Sequence, residues 1–172
     1  MKKFKRLAAL MLVLVLAVSL FSGCSLIEQE TEAEPEKRND AVPGGSISWP
    51  EGFDTSKRFT QTQAGGVLYA SFNGIQDRTS NYFTPASDTI TIVGQATTES
   101  EKRKTFRVTL WKEGSQSREY VDGGTLYLQA DGSCYTGTFS NLDPASRYKV
   151  GFAYDGGNSY YMTGGVTVSG IA

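Results

Sequence analysis

The tightest constraint on this chain is a period of two in its apolar residues. In residues 105–112, Phe106, Val108 and Leu110 fall on one side of an extended backbone, and Arg107, Thr109 and Trp111 fall on the other. Residues 147–154 repeat the pattern, with Tyr148, Val150, Phe152 and Tyr154 alternating with Arg147, Lys149, Gly151 and Ala153. Successive side chains of a strand point to opposite faces, so such a run buries one face only. Shorter runs at 47–49, 67–72, 89–94, 117–121, 125–129, 134–139, 159–162 and 166–168 are expected to be strands as well. No helical period follows residue 45. Many short strands separated by turn residues predict an all-β fold, an antiparallel sandwich or barrel. Asp122-Gly123-Gly124, Asp131-Gly132 and Asp155-Gly156-Gly157-Asn158 sit between these runs, where glycine supplies the positive φ of a turn.

The N-terminus has a different composition. Lys2, Lys3, Lys5 and Arg6 precede an apolar run at 7–20 broken only by Ser19, and Phe21-Ser22-Gly23-Cys24 closes it. A basic start, a short apolar core and small residues at a cleavage point form an export signal. The run is shorter than the ~20 residues that span a bilayer. The motif resembles the lipobox of bacterial lipoproteins. That resemblance implies cleavage before Cys24, a diacylglyceryl group on its thiol, and a protein anchored on the extracytoplasmic face of a membrane. Buried acyl methylenes contribute ~0.8 kcal/mol each, so two or more chains hold firmly.

Residues 24–45 read as an acidic, disordered tether. Glu28, Glu30, Glu32, Glu34, Glu36 and Asp40 stand against Lys37 and Arg38, with Pro35 and Pro43-Gly44-Gly45 and few large aliphatics. Residues 46–172 are left for one domain. They hold 11 of the 17 basic and 12 of the 18 acidic residues, which leaves the domain within one charge of neutrality. Lys102-Arg103-Lys104 is flanked by Glu99 and Glu101, so no basic stripe marks nucleic acid as a partner.

One motif narrows the architecture. Leu142-Asp143-Pro144-Ala145-Ser146-Arg147-Tyr148-Lys149-Val150 resembles the tyrosine corner of fibronectin type III domains. The resemblance covers residues 66–169. It implies an inward Tyr148 whose hydroxyl bonds upstream backbone, with 67–72, 89–94, 105–112, 134–139, 147–154 and 159–168 as strands A, B, C, E, F and the last strand. The tryptophan usual on strand B is replaced by Ile90 and Ile92. The expected fold is therefore an antiparallel β-sandwich, fibronectin type III-like or immunoglobulin-like of another topology.

Little chemistry is on offer. The chain has no histidine, which removes the commonest general base and metal ligand. Its two cysteines are Cys24 and Cys134. With Cys24 lipidated, no disulfide can form, and Cys134 reads as a small core residue. Asp122, Asp131, Asp143 and Asp155 adjoin Gly or Pro and read as turn residues, while Glu113 and Glu119 flank a hairpin. No spacing matches a calcium loop. The expectation is a protein without catalysis, metal or cofactor.

Binding is better supported. Trp111 is out of phase with the apolar face, and adjacent Tyr160 and Tyr161 must put one ring outward. Either platform, with Asp155 and Asn158 nearby, would suit a sugar ring. Residues 73–88 form the longest irregular stretch and hold Tyr82 and Phe83, a second candidate surface. The first reading is a non-catalytic protein-interaction or structural module of the cell envelope. The alternative is a glycan-binding module, and a weaker third is an inhibitor of extracellular enzymes presenting residues 73–88.

Overall fold

In a computed structural model that describes residues 39–172 apart from 103 and 157–159, the alternating runs pair into two antiparallel sheets. The strands are β1 Val42–Pro43, β2 Phe59–Ala64, β3 Val67–Ile75, β4 Asp77–Thr79, β5 Ile90–Thr98, β6 Thr105–Glu113, β7 Arg118–Gln129, β8 Asp131–Phe139, β9 Tyr148–Tyr154 and β10 Met162–Ser169. One sheet has the order β1-β8-β5-β10-β3-β2, the other β4-β9-β6-β7. The expected sandwich is the observed fold.

Its core is the set of in-phase residues. Leu68, Ala70 and Phe72 of β3, Ile90 and Ile92 of β5, and Val166 and Val168 of β10 face Phe106, Val108 and Leu110 of β6 and Val150 and Phe152 of β9, all fully buried. Burying each such aliphatic or aromatic side chain contributes ~1.5–3 kcal/mol. Phe72 sits at the centre, 5.9 Å from Phe152 and 6.4 Å from Phe106 between ring centroids. Glycines let the sheets close where β7 packs in. A Cβ on Gly94 would lie 2.6 Å from Leu128, and one on Gly137 2.6 Å from Leu126.

The tyrosine corner is present. Tyr148 and Leu142 are buried, and the Asp143 N–H donates to the Tyr148 hydroxyl at 3.0 Å. The connectivity departs from the immunoglobulin arrangement, in which the last strand joins C and F. Here β10 lies between β5 and β3 in the other sheet. Gly164 and Gly165 permit that central place, because a Cβ on Gly164 would run into the Gln95 carbonyl.

Several local expectations give way to pairing. Residues 117–121 and 125–129 are one strand, β7, and Asp122-Gly123-Gly124 is a bulge inside it rather than a hairpin turn, with Gly123 at φ 65°. Residues 162–169 are likewise continuous as β10, and residues 47–49 are not a strand. The β2 strand goes unread in the sequence because Phe59 is its only large apolar residue. Gly65-Gly66, with φ of 58° and 76°, still forms the two-residue turn that pairs it with β3.

Residues 39–45, assigned from the sequence to the tether, are tied to both sheets. The Ala41 N–H donates to the Tyr127 carbonyl at 2.8 Å and the Gly44 N–H to the Cys134 carbonyl at 2.9 Å. Residues 46–58 then cross the outer face of the six-stranded sheet. Trp49 lies over Gly165 and stacks on Phe53 at 4.9 Å and 2°, and both rings tilt against Tyr69 of β3. Cys134 is half-buried on that outward side, out of phase with the buried Tyr135, rather than in the core. Cys24 and the rest of the signal and tether up to residue 38 lie outside the described residues.

Candidate functional site

The four-stranded sheet has an outer face that no chain segment crosses among the described residues. Because Phe106, Val108 and Leu110 turn inward, Arg107, Thr109 and Trp111 turn outward, joined by Lys149, Gly151 and Ala153 of β9 and Thr125 and Tyr127 of β7. Register arranges them in rows. Arg107 stands between Ala153 and Tyr127, Thr109 between Gly151 and Thr125, and Trp111 between Lys149 and Tyr120.

The bulge at 122–124 sets the last row. Thr109 pairs with Thr125, so a regular ladder would place Gly123 opposite Trp111. The shift places Tyr120 there instead. The two rings meet edge to face at 5.7 Å and 71°. The Arg118 guanidinium lies 4.4 Å from the Trp111 ring centroid, a cation–π distance. On the other side, Gly151 leaves room for the indole, since a Cβ there would come 3.3 Å from Nε1. Tyr120 shares hydrogen bonds through Thr125 with Thr109, at 3.3 and 3.4 Å. Beyond Lys149, Tyr82 carries the Lys149 ammonium at 4.7 Å and the Arg147 guanidinium at 5.1 Å from its centroid.

These residues border an open groove of about 430 Å³, which runs from Asp77, Arg78 and Thr79 of β4 past Gly151 to Arg107, Trp111, Arg118 and Tyr120. It offers stacking surface, hydroxyls and guanidinium donors. Among the described residues no group of three or more Cys, Asp or Glu converges as a metal ion requires.

The sequence-nominated residues divide. Trp111 faces outward as its phase requires. Tyr160 and Tyr161 are both exposed, and neither joins it. Tyr160 packs edge-on against Tyr154 at 6.4 Å. Tyr154 pairs with Phe106 while Lys149 pairs with Trp111, so the two ends of β9 lie five residues apart, ~17 Å. Tyr161 lines a different hollow of about 900 Å³ with Arg58, Asn73, Glu99 and Thr163. Asp155 is tied to Thr105, accepting its hydroxyl at 3.1 Å. Asn158 lies outside the described residues.

Residues 73–88 are not a free loop. They complete β3, form β4, and pair Phe83 with Tyr148 through two backbone bonds of 2.7 and 2.8 Å. Phe83 is buried beside the tyrosine corner, so only Tyr82 of that pair reaches the surface. Sequence reasoning missed Tyr120 and Arg118. Their signal was the alternation of 117–121, hidden once Asp122-Gly123-Gly124 was read as a turn.

The turn aspartates behave as their setting requires. Asp131 is held below the usual carboxylate range by the Ser133 N–H and the Tyr135 hydroxyl, at 2.9 and 2.8 Å. Asp143 is lowered by the Ser146 hydroxyl and the Ala145 N–H, and Asp54 by the hydroxyl and N–H of Ser56.

No family model and no curated protein matches this chain. Solved structures resemble it in outline. One, described as "CBM4 structure and function", is 12% identical over 66% of this chain and 76% of its own, with a TM-score of 0.33. The second N-terminal cellulose-binding domain of Cellulomonas fimi β-1,4-glucanase C is 14% identical over 80% of this chain and 98% of its own, at 0.36. The xylan-binding module CBM15 is 18% identical over 75% and 88%, at 0.32. At such values the site has to be understood from its own residues. Fold and site together define an antiparallel β-sandwich with one outer face crossed by its own chain and one that no described residue crosses.

Proposed function

We propose that this protein is a non-catalytic glycan-binding module whose platform is the outer face of the four-stranded sheet. The observation that carries the reading is the Trp111–Tyr120 pair, fixed by a bulge on an uncrossed face between hydroxyls and guanidinium groups. A sugar ring has an apolar C–H face that stacks on an aromatic plane, and a rim of hydroxyls that needs hydrogen-bond partners. A rigid sheet supplies both without ordering a loop. The interaction-module reading wants a contiguous apolar patch. The exposed large apolar side chains among the described residues are Val42, Tyr120 and the adjacent Tyr160 and Tyr161, which are mostly phenolic and stand on separate strands or loops. The glycan reading is therefore preferred to the one the sequence put first.

The lipobox resemblance supplies the location. In this reading Cys24 carries the lipid, and the acidic stretch at 25–38 spaces the module from an extracytoplasmic membrane surface and its envelope glycan. Incorporation of labelled fatty acid, lost in Cys24→Ala, checks the anchor. For the function, the detergent-solubilised full chain is run by affinity electrophoresis through gels holding cellulosic, xylan, pectic and peptidoglycan polymers. Retardation by at least one polymer, abolished in Trp111→Ala and Tyr120→Ala variants with unchanged melting, is the expected outcome. Retardation by none, or retardation indifferent to both substitutions, overturns the proposal.

A further inference from the structure

The groove has a charge that the rest of the domain lacks. Arg107 and Arg118 line it from the outward phase of their strands and Arg78 borders it at the β4 edge, against a single acid, Asp77. None of the three forms an ion pair among the described residues. Cations that do have carboxylate partners lie outside the groove, Arg147 with Glu113 at 3.1 Å and Lys112 with Asp143 at 3.7 Å near the β6–β7 turn and the tyrosine corner, and Lys57 with Asp54 at 3.7 Å on the crossing segment. Glu119 bends back toward Gly114 in that turn, and Asp122 sits in the bulge.

Two other hollows have no such excess: the one holding Tyr161 sets Arg58 against Glu99, and the one beside the crossing segment sets Lys57 against both Glu51 and Asp54. In a domain with one more acid than base, the face that bears the aromatic platform has a local excess of cations.

Resting on the glycan reading above, we infer that the glycan taken by this face is acidic, with carboxylate groups on its sugar rings. Arg107 and Trp111 lie four residues apart on β6, ~14 Å, so a chain lying along the Trp111–Tyr120 pair, with Arg118 swung off the indole, brings a carboxylate further along it within reach of the Arg107 guanidinium. The planar fork of Arg matches a carboxylate through two parallel hydrogen bonds. Arg118, displaced from the indole by the bound ring, serves the same preference beside it.

The test uses the detergent-solubilised full chain and affinity electrophoresis in polygalacturonate, its fully methyl-esterified form, dextran sulfate and neutral β-glucan, at 50 and 500 mM NaCl. The methyl ester keeps the backbone and removes the charge. Retardation by polygalacturonate, weakened about tenfold by esterification and by high salt, is expected, because exposed charges are screened while stacking is not. The Arg107→Gln, Arg118→Gln double variant is expected to lose the preference for the acid over the ester while Trp111→Ala loses both.

Equal retardation by acid and ester overturns the acidic inference and leaves the glycan module standing. Binding confined to dextran sulfate overturns the carboxylate assignment in favour of a sulfate ester. A preference for the acid that persists in the double variant overturns the role of this groove. Silence in all four polymers overturns the acidic inference, and the wider panel then decides whether the module reading falls with it.

Discussion

The chain's two tryptophans stand one on each outer face of the sandwich, and they meet opposite fates. Trp49 arrives on the crossing segment, lies over Gly165 and is stacked with Phe53. Trp111 is rooted in β6 beside Gly151, and its companions are Tyr120, met edge to face, and one guanidinium. Both indoles use a glycine to lie close to a sheet. One ring holds a segment of chain on the fold, and the other is left as a surface. Period-two patterning gives every sheet a second face, and whether the chain crosses that face decides if it becomes interior or site.

The sharpest way to break this comparison is to truncate each indole. Trp49→Ala removes the contact that holds residues 46–58 on β10 and β3, and is expected to cost about 2–3 kcal/mol in urea denaturation, below the range for a fully buried tryptophan. Trp111→Ala is expected to cost less than about 1 kcal/mol and to abolish glycan retardation. Equal losses of stability in the two variants would mean that the open face is structural.

The glycines sharpen the same contrast at a smaller scale. On Gly165 a Cβ would run into the Trp49 ring and come within 2.9 Å of the Ala70 carbonyl oxygen. Gly165→Ala is expected to destabilise by about 1–3 kcal/mol, the range for overpacking. On Gly151 the nearest atom is the Trp111 Nε1 at 3.3 Å, which a half-exposed ring can yield. Gly151→Ala is expected within about 0.5 kcal/mol of the parent while weakening glycan binding through the tilted indole. Circular-dichroism melts with matched retardation gels read both quantities.

What the sequence reveals of this contrast is what depends on local order. The strict alternation of 105–112 announces both β6 and the outward Trp111, and Leu142, Pro144 and Tyr148 are near enough in sequence to announce the corner. What stays hidden depends on distant partners. Nothing local says that 162–169 pairs with both β3 and β5, and Gly164-Gly165 reads as a break until Trp49 and Gln95 are seen against it. Asp122-Gly123-Gly124 carries the chemistry of a hairpin turn, and only the register with β6 shows it to be the bulge that delivers Tyr120. Phe83 reads as an exposed aromatic because its neighbours are irregular, while its burial is decided by Tyr148, far along the chain.

The corner fixes the edge of the open face, since β9 begins at Tyr148. Tyr148→Phe leaves the Asp143 N–H without its acceptor, at an expected cost of about 1–2 kcal/mol. Because β9 carries Gly151 and Ala153 into the groove, a looser start to that strand is expected to weaken binding several-fold as well. Unchanged binding with reduced stability would separate the corner from the site.

The smallest effect expected is that of acid. Asp54, Asp131 and Asp143 all have lowered pKa values, each from hydrogen bonds donated to the ionised carboxylate. A folded pKa below the unfolded one means that the stabilisation is present above the unfolded value, near 4, and is lost as pH falls through the folded value. Melting temperature is therefore expected to be flat from pH 7 to about 4.5 and to decline below about 4. The three sites map onto the comparison, with Asp54 on the crossing segment, Asp131 at the start of β8 and Asp143 at the corner beside the open-face sheet. If the crossed face is the one that acid loosens, Asp54→Asn flattens the decline more than Asp143→Asn does. The reverse order would place the acid-sensitive element at the corner, next to the glycan platform.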